Sequence, residues 1–180
     1  MNSYYNTKQI IACVDKNGDI IGKVDKWEAH EKGILHKALS VTLLYKGQYI
    51  LQERRHPAFD KVFDLTSSSH QLFINNKLQT SIEATLDCLK REWGLSEDDL
   101  IGTPKILGTV YYKSKDPNSI YTEHEMCDIL EAELISEPQA NLNFAYGFKL
   151  VDKEDLLNKN SNIYKNLAPW CKVAIENGLI

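Results

Sequence analysis

The stretch Ala38-Leu39-Ser40-Val41-Thr42-Leu43-Leu44-Tyr45 constrains the fold most, because it is a long apolar run of strand type. Lys46-Gly47-Gln48 turns it back into Tyr49-Ile50-Leu51-Gln52-Glu53-Arg54, which predicts a β-hairpin. An earlier hairpin is expected where residues 10–14 and 20–24 flank an Asn17-Gly18 turn. Further strands are expected at 104–112, within 120–134 and at 146–151. Thr80-Ser81-Ile82-Glu83 reads as a capping box, followed by a helix with Ile82, Leu86, Leu89 and Trp93 at helical spacing until Gly94 stops it. Short helices are expected at 152–157 and 169–176. Residues 26–32 read as one helical turn or a loop, 57–65 as an irregular passage and 66–71 as a polar surface loop. Strands outnumber helices, and the helices are placed to cover the sheet, which makes a mixed α/β (α+β) sandwich.

At 180 residues and 43% hydrophobic content, the chain is the size of one domain, 1–180, with a full core. A net charge of -4 with scattered lysines leaves no basic footprint for nucleic acid. Cys13, Cys88, Cys127 and Cys171 have no paired spacing, so neither a disulfide framework nor a thiolate zinc site is expected. No apolar run approaches the roughly 18 residues of a membrane helix, and residues 1–8 are polar. The expectation is a cytoplasmic chain with reduced thiols and no membrane partner.

The strand expected within 120–134 carries Glu123-His124-Glu125 where apolar residues belong. Side chains alternate along a strand, so both glutamates share one face, roughly 7 Å apart, and His124 looks the other way. Such a pair calls for a cation, a basic cluster or a shared proton, and a solvated strand face is the competing reading. Glu92 lies beside the helical stripe near a helix C-terminus, where the dipole disfavours a carboxylate. An offsetting cation is expected there. Of the five histidines, His30, His36, His56, His70 and His124, most are expected in loops or at strand edges. Three of them with the two glutamates would suit Mn, Fe, Zn or, less well, Mg, while an ordinary hydrogen-bonded structural role remains open to each.

Several strings resemble the type I isopentenyl diphosphate isomerases, a branch of the Nudix superfamily. They are Glu28-Ala29-His30 with Leu35-His36-Lys37-Ala38-Leu39-Ser40, Ser69-His70, Lys90-Arg91-Glu92-Trp93-Gly94-Leu95, Tyr112-Lys113-Ser114-Lys115-Asp116-Pro117, Glu123-His124-Glu125 and Ala168-Pro169-Trp170. They keep family order over about residues 10–175. The resemblance implies a Nudix-like α/β/α sandwich with a mixed sheet and flanking helices. It implies a divalent metal, Mn or Zn, on His30, His36, His70, Glu123 and Glu125, and Mg on Glu92 with a small-molecule diphosphate substrate. Tyr112 would orient Glu125, and the Trp170 π face would steady a carbocation.

Isomerisation of such a substrate protonates one carbon of an alkene and deprotonates another through a tertiary cation shielded from water. It needs an acid and a base on opposite sides. The resemblance implies Glu125 for one, and for the other a cysteine at the position of Ser68, whose hydroxyl is a far weaker acid than a thiol. Lys26 and Arg54 match basic phosphate ligands, Cys88 stands where an arginine is usual, and Lys61 is a nearby substitute. A monomer or homodimer in isoprenoid biosynthesis is implied.

Two other readings stand beside this one. A Nudix hydrolase needs Gly, a spacer, Glu, then Arg-Glu-apolar-x-Glu-Glu-x-Gly-apolar, so that clustered glutamates bind Mg and activate water. Anchored on Gly94, that box falls on Phe73, Gln79, Asp87, Cys88, Leu89, Arg91, Glu92 and Leu95, and only Glu92, the glycine and the apolar sites fit. A catalytically inactive, metal-stabilised regulatory protein is the third reading, favoured by Ser68 and Cys88 and opposed by the intact ligand set.

Overall fold

The computed structural model describes residues 3–180. Its first hairpin pairs β1 (Ile10–Val14) with β2 (Ile20–Asp25). Gly18 takes the positive φ of +86° that the tight turn needs, and Asp15 Oδ1 accepts from the backbone N–H of Asn17 and Asp19. Residues 26–32, expected as a single turn or a loop, form a complete helix, α1 (Lys26–Lys32). Its ends explain this. Asp25 accepts from the N–H groups of Trp27 and Glu28, and Gly33 closes the helix in the left-handed conformation.

The centre of the sheet is β3 (His36–Tyr45). Its turn into β4 (Gln48–Arg54) is a hairpin as expected, but only Leu44–Tyr49 and Tyr45–Gln48 pair before the strands part. Into the gap come β5 (Phe63–Leu65), paired with β4, and β6 (Ser67–Ser69), paired with β3. Thr66 links them at a φ of +68°, a strained position for a β-branched residue. Its Oγ1 donates to the Ile50 carbonyl and accepts from the Leu43 N–H, so one hydroxyl ties the parted strands together. The passage expected as a surface loop is therefore interior: Thr66 and Ser67 are fully buried and Ser68 and Ser69 half-buried. A serine run reads as polar surface only when its hydroxyls have no partners inside, and these have them.

A two-strand ribbon, β7 (Phe73–Ile74) with β8 (Lys77–Leu78), leads to α2 (Ser81–Trp93). The Thr80–Glu83 capping box forms as expected, with Gly94 at the other end. The buried face is rotated from the expected stripe to Ala84, Thr85, Cys88, Leu89, Glu92 and Trp93, leaving Ile82 at the solvent edge. Polar Glu92 and small Thr85 and Cys88 hid that face from a reading by hydrophobicity.

Antiparallel β9 (Lys105–Lys115) and β10 (Thr122–Glu133) follow, with β10 running parallel to β3 from Glu125–His36 to Glu133–Leu44. The sheet is thus mixed. β11 (Ala145–Val151) adds to β4, and α3 (Lys153–Leu157), α4 (Asn162–Lys165) and α5 (Pro169–Glu176) close the chain.

Alternation on the central strands splits the core in two. Leu39, Val41, Leu43 and Leu130 pack under Leu89 and Trp93 of α2. Ala38, Cys127 and Ile129 pack under Trp170, Cys171 and Ala174 of α5 on the other face. Each fully buried leucine contributes roughly 1.5–3 kcal/mol relative to exposure, so both faces hold their helices. The result is the expected α/β/α sandwich. Among the described residues no helix is long and apolar enough to cross a membrane.

Candidate metal centre and active site

Four segments bring five side chains to one point. His30 comes from the last turn of α1 rather than from a loop, His36 opens β3, Glu123 and Glu125 sit on β10, and His70 follows β6. One ligand atom from each of the five lies within 4.8 Å of all the others. The shared face of the two glutamates is as expected, and His124 points away, its Nδ1 2.8 Å from the Gly33 carbonyl and its Nε2 3.1 Å from the Tyr111 hydroxyl.

The imidazoles are oriented as ligands. His30 Nδ1–H donates to the Lys26 carbonyl at 2.6 Å and His36 Nδ1–H to the Ile34 carbonyl at 2.7 Å. Each bond fixes the tautomer and leaves Nε2 bearing a lone pair toward the centre. There His36 Nε2 lies 3.2 Å from His70 Nε2 and 3.3 Å from Glu125 Oε1, while His70 Nε2 lies 3.2 Å from the same oxygen. Glu123 Oε2, 3.0 Å from His30 Nε2, is buried without an aligned donor. So many inward lone pairs repel unless something positive sits among them.

Protons alone serve this cluster badly. Burial works against charge on His30, yet the adjoining Glu123 carboxylate holds its pKa above the usual range. Burial and the charges of His30 and His36 push His70 well below it. Burial would raise Glu125, but its bonds to His36 bring it down to about 2. A divalent cation would replace this uneven sharing with five donors of the N and O type that Mn, Fe and Zn accept. The donor set therefore fits a metal ion.

Around the cluster is a pocket that also admits Lys26, Arg54, Ser68, Glu92, Tyr112 and Trp170. Tyr112 OH donates to Glu125 Oε2, and burial followed by the Glu125 charge keeps the phenol protonated far above its ordinary range. Trp170 is 2% exposed and donates through Nε1 to Asp64, with the Arg54 guanidinium 4.9 Å from its ring centre. Arg54 is itself engaged, pairing with Asp64 Oδ2 at 2.7 Å. Lys61 is not part of the pocket; its ammonium lies out by the Tyr146 ring, 5.9 Å from the centroid.

Two residues escaped the sequence reading. Arg91 lines the pocket, donating to Glu92 Oε1 at 2.8 Å and touching Cys88 Sγ and Ser69 Oγ, with its buried Nε left without a partner. It is the cation that the placing of Glu92 called for. Asp64 is fully buried behind Ser68, and a carboxylate inside Val62-Phe63-Asp64-Leu65 was the signal for it. Lys26, 4% exposed, is held down to about 8 by burial and by the charge of Arg91. Two cations that repel each other at a pocket rim make an anion site.

No family model matches the chain. In sequence it is 26% identical to isopentenyl-diphosphate delta-isomerase 2 of Homo sapiens, over 96% of this chain and 83% of that protein. It is 28% identical to isopentenyl-diphosphate Delta-isomerase 1 of Mesocricetus auratus, over 95% and 82%. In structure it resembles DR0079 of Deinococcus radiodurans, with a TM-score of 0.63 and 16% identity over 84% of this chain and 88% of that one. The MutT protein of Methanosarcina mazei gives 0.55 at 11% identity, over 79% and 95%. The chain has a Nudix fold and resembles the isopentenyl-diphosphate isomerases along nearly its whole length.

Proposed function

We propose that the protein is a metal-dependent isomerase of an allylic or homoallylic diphosphate, interconverting isopentenyl and dimethylallyl diphosphate or a close relative by protonation and deprotonation. The observation that carries this reading is the convergence of His30, His36, His70, Glu123 and Glu125 in one pocket with the Tyr112–Glu125 hydrogen bond and Ser68. Those five residues would hold Mn or Zn, and Glu92 would meet Mg carried with the diphosphate. A metal bound there would supply positive charge that orients Glu125 and stabilises the negative charge left on the Tyr112–Glu125 pair when it gives up a proton.

The chain's own groups do the rest. Lys26 and Arg91 take the diphosphate, whose charge relieves their mutual repulsion, with Arg54 set further back by its pairing to Asp64. The alkene lies between strands on either edge of β3, with Glu125 on β10 at one side and Ser68 on β6 at the other. A proton reaches one carbon from the Tyr112–Glu125 pair, and Ser68 faces the carbon that loses one. Trp170 and Tyr112, ring centres 6.1 Å apart, wall the intermediate from water and present π density to it.

Diphosphate hydrolysis is the second reading, in line with the Nudix fold. Against it, α2 brings one carboxylate, Glu92, to the pocket, with Cys88 and Arg91 where a hydrolase clusters its acids. NMR of isopentenyl diphosphate in deuterated water with Mg and Mn separates the outcomes. Deuterium appearing on carbon is the expected result; inorganic phosphate or pyrophosphate release without it means a hydrolase; neither signal means a binding protein.

A further inference from the structure

A serine hydroxyl in place of a thiol is a poor terminus for a proton, yet here it is not a terminus. Ser68 Oγ donates to Asp64 Oδ1 at 3.1 Å and lies 3.1 Å from Ser40 Oγ, which is left to donate to it because an ionised carboxylate only accepts. Asp64 is 0% exposed. Its other oxygen is taken by Arg54 at 2.7 Å, and Trp170 Nε1 fixes Oδ1 at 2.8 Å. Asp64 itself does not line the pocket, but its partners Ser68, Arg54 and Trp170 do, and of these only the Ser68 hydroxyl can take up one proton while passing another to the carboxylate.

We propose that Asp64, acting through Ser68, is the acid–base group opposite Glu125, so that a Ser68–Asp64 relay replaces a thiol in this chain. The proposal rests on the isomerase reading above. The C–H electron pair of the cationic intermediate closes the new double bond, and the proton arrives on Ser68 Oγ. The hydroxyl's own proton passes to Asp64 Oδ1, leaving a neutral hydroxyl, a neutral carboxylic acid and a neutral alkene; the reverse reaction retraces the path. A tertiary carbocation gives up a neighbouring proton even to a weak base, so the basicity of a hydroxyl is no obstacle. What the hydroxyl lacks is a place to send the proton, and Asp64 is that place.

Asp64 also anchors Arg54 and Trp170, so simple loss of activity would not separate relay from anchor. The separating experiment is a double-mutant cycle, reading deuterium incorporation into isopentenyl diphosphate, with metal per chain and affinity for inorganic pyrophosphate measured on each variant. D64N in the otherwise unchanged chain is expected to slow incorporation about 100-fold or more, the scale of general acid–base catalysis. In the S68C background, whose thiol of pKa roughly 8.5 holds and releases the proton itself, D64N is expected to cost less than about 5-fold. Equal losses in both backgrounds would make Asp64 an anchor and overturn the relay. S68A leaves the Arg54–Asp64 pair standing and serves if D64N does not fold. Its expected loss is also about 100-fold, and retention of a third or more of the rate overturns the relay as well. No incorporation by the unsubstituted protein overturns the isomerase reading, and the relay with it; incorporation untouched by S68A overturns the relay alone.

Discussion

The pocket has two walls, one on each edge of β3, and they solve the burial of polar groups in opposite ways. Where Glu123 and Glu125 of β10 meet His30, His36 and His70, five nitrogen and oxygen ligand atoms crowd within 4.8 Å with lone pairs facing inward, a frustrated arrangement that a cation would resolve. On the β6 side, Asp64, Ser68, Ser40, Trp170 and the Arg54 Nη1 hydrogen-bond to one another inside the protein, and Arg54 Nε alone of this group is left without a partner. The first wall is built around something to be bound; the second is largely paired as folded. Polar groups left unpaired in a core are costly, so the unfinished wall is the one that announces a ligand.

Substitutions should expose this contrast, the largest effects coming first. E125Q keeps an oxygen in place but removes the carboxylate next to Tyr112, and a rate loss of about 100- to 10,000-fold in deuterium incorporation is expected with the fold intact by circular dichroism. On the paired wall the effect should fall on stability. D64A strands the buried Arg54 guanidinium, and denaturant unfolding should show a loss of roughly 3–5 kcal/mol. An unchanged midpoint would mean the wall is not self-supporting. At the rim, R91A should weaken magnesium pyrophosphate about tenfold by calorimetry, the scale of one charge-assisted hydrogen bond. Far from both walls, T80A should cost about 1 kcal/mol through the lost helix cap and leave metal content alone.

The unfinished wall is also the one that sequence disclosed. Glutamates inside an apolar strand are out of place, and the side-chain alternation that put Glu123 and Glu125 on one face is a local property of the backbone. Hairpins, the capping box and the sandwich were legible for the same reason: each is written in neighbouring residues. What stayed hidden depends on residues far apart in the chain. The serine run reads as surface until Thr66 is seen bridging Ile50 and Leu43 across the parted β3 and β4. Asp64 gains its meaning only from Ser68, Arg54 and Trp170, and Arg91 from its contact with Ser69 in the pocket. The rotated face of α2 was missed because polar Glu92 and Thr85 lie on its buried side.

The difference between the walls reduces to whether one of them holds a metal ion. Elemental analysis of purified, dialysed protein measures this directly. About one divalent transition metal per chain is expected in the unsubstituted protein and in S68A, with near-complete loss in H36A and E123A. Metal content that is negligible at the outset, or that survives both H36A and E123A, would contradict the account.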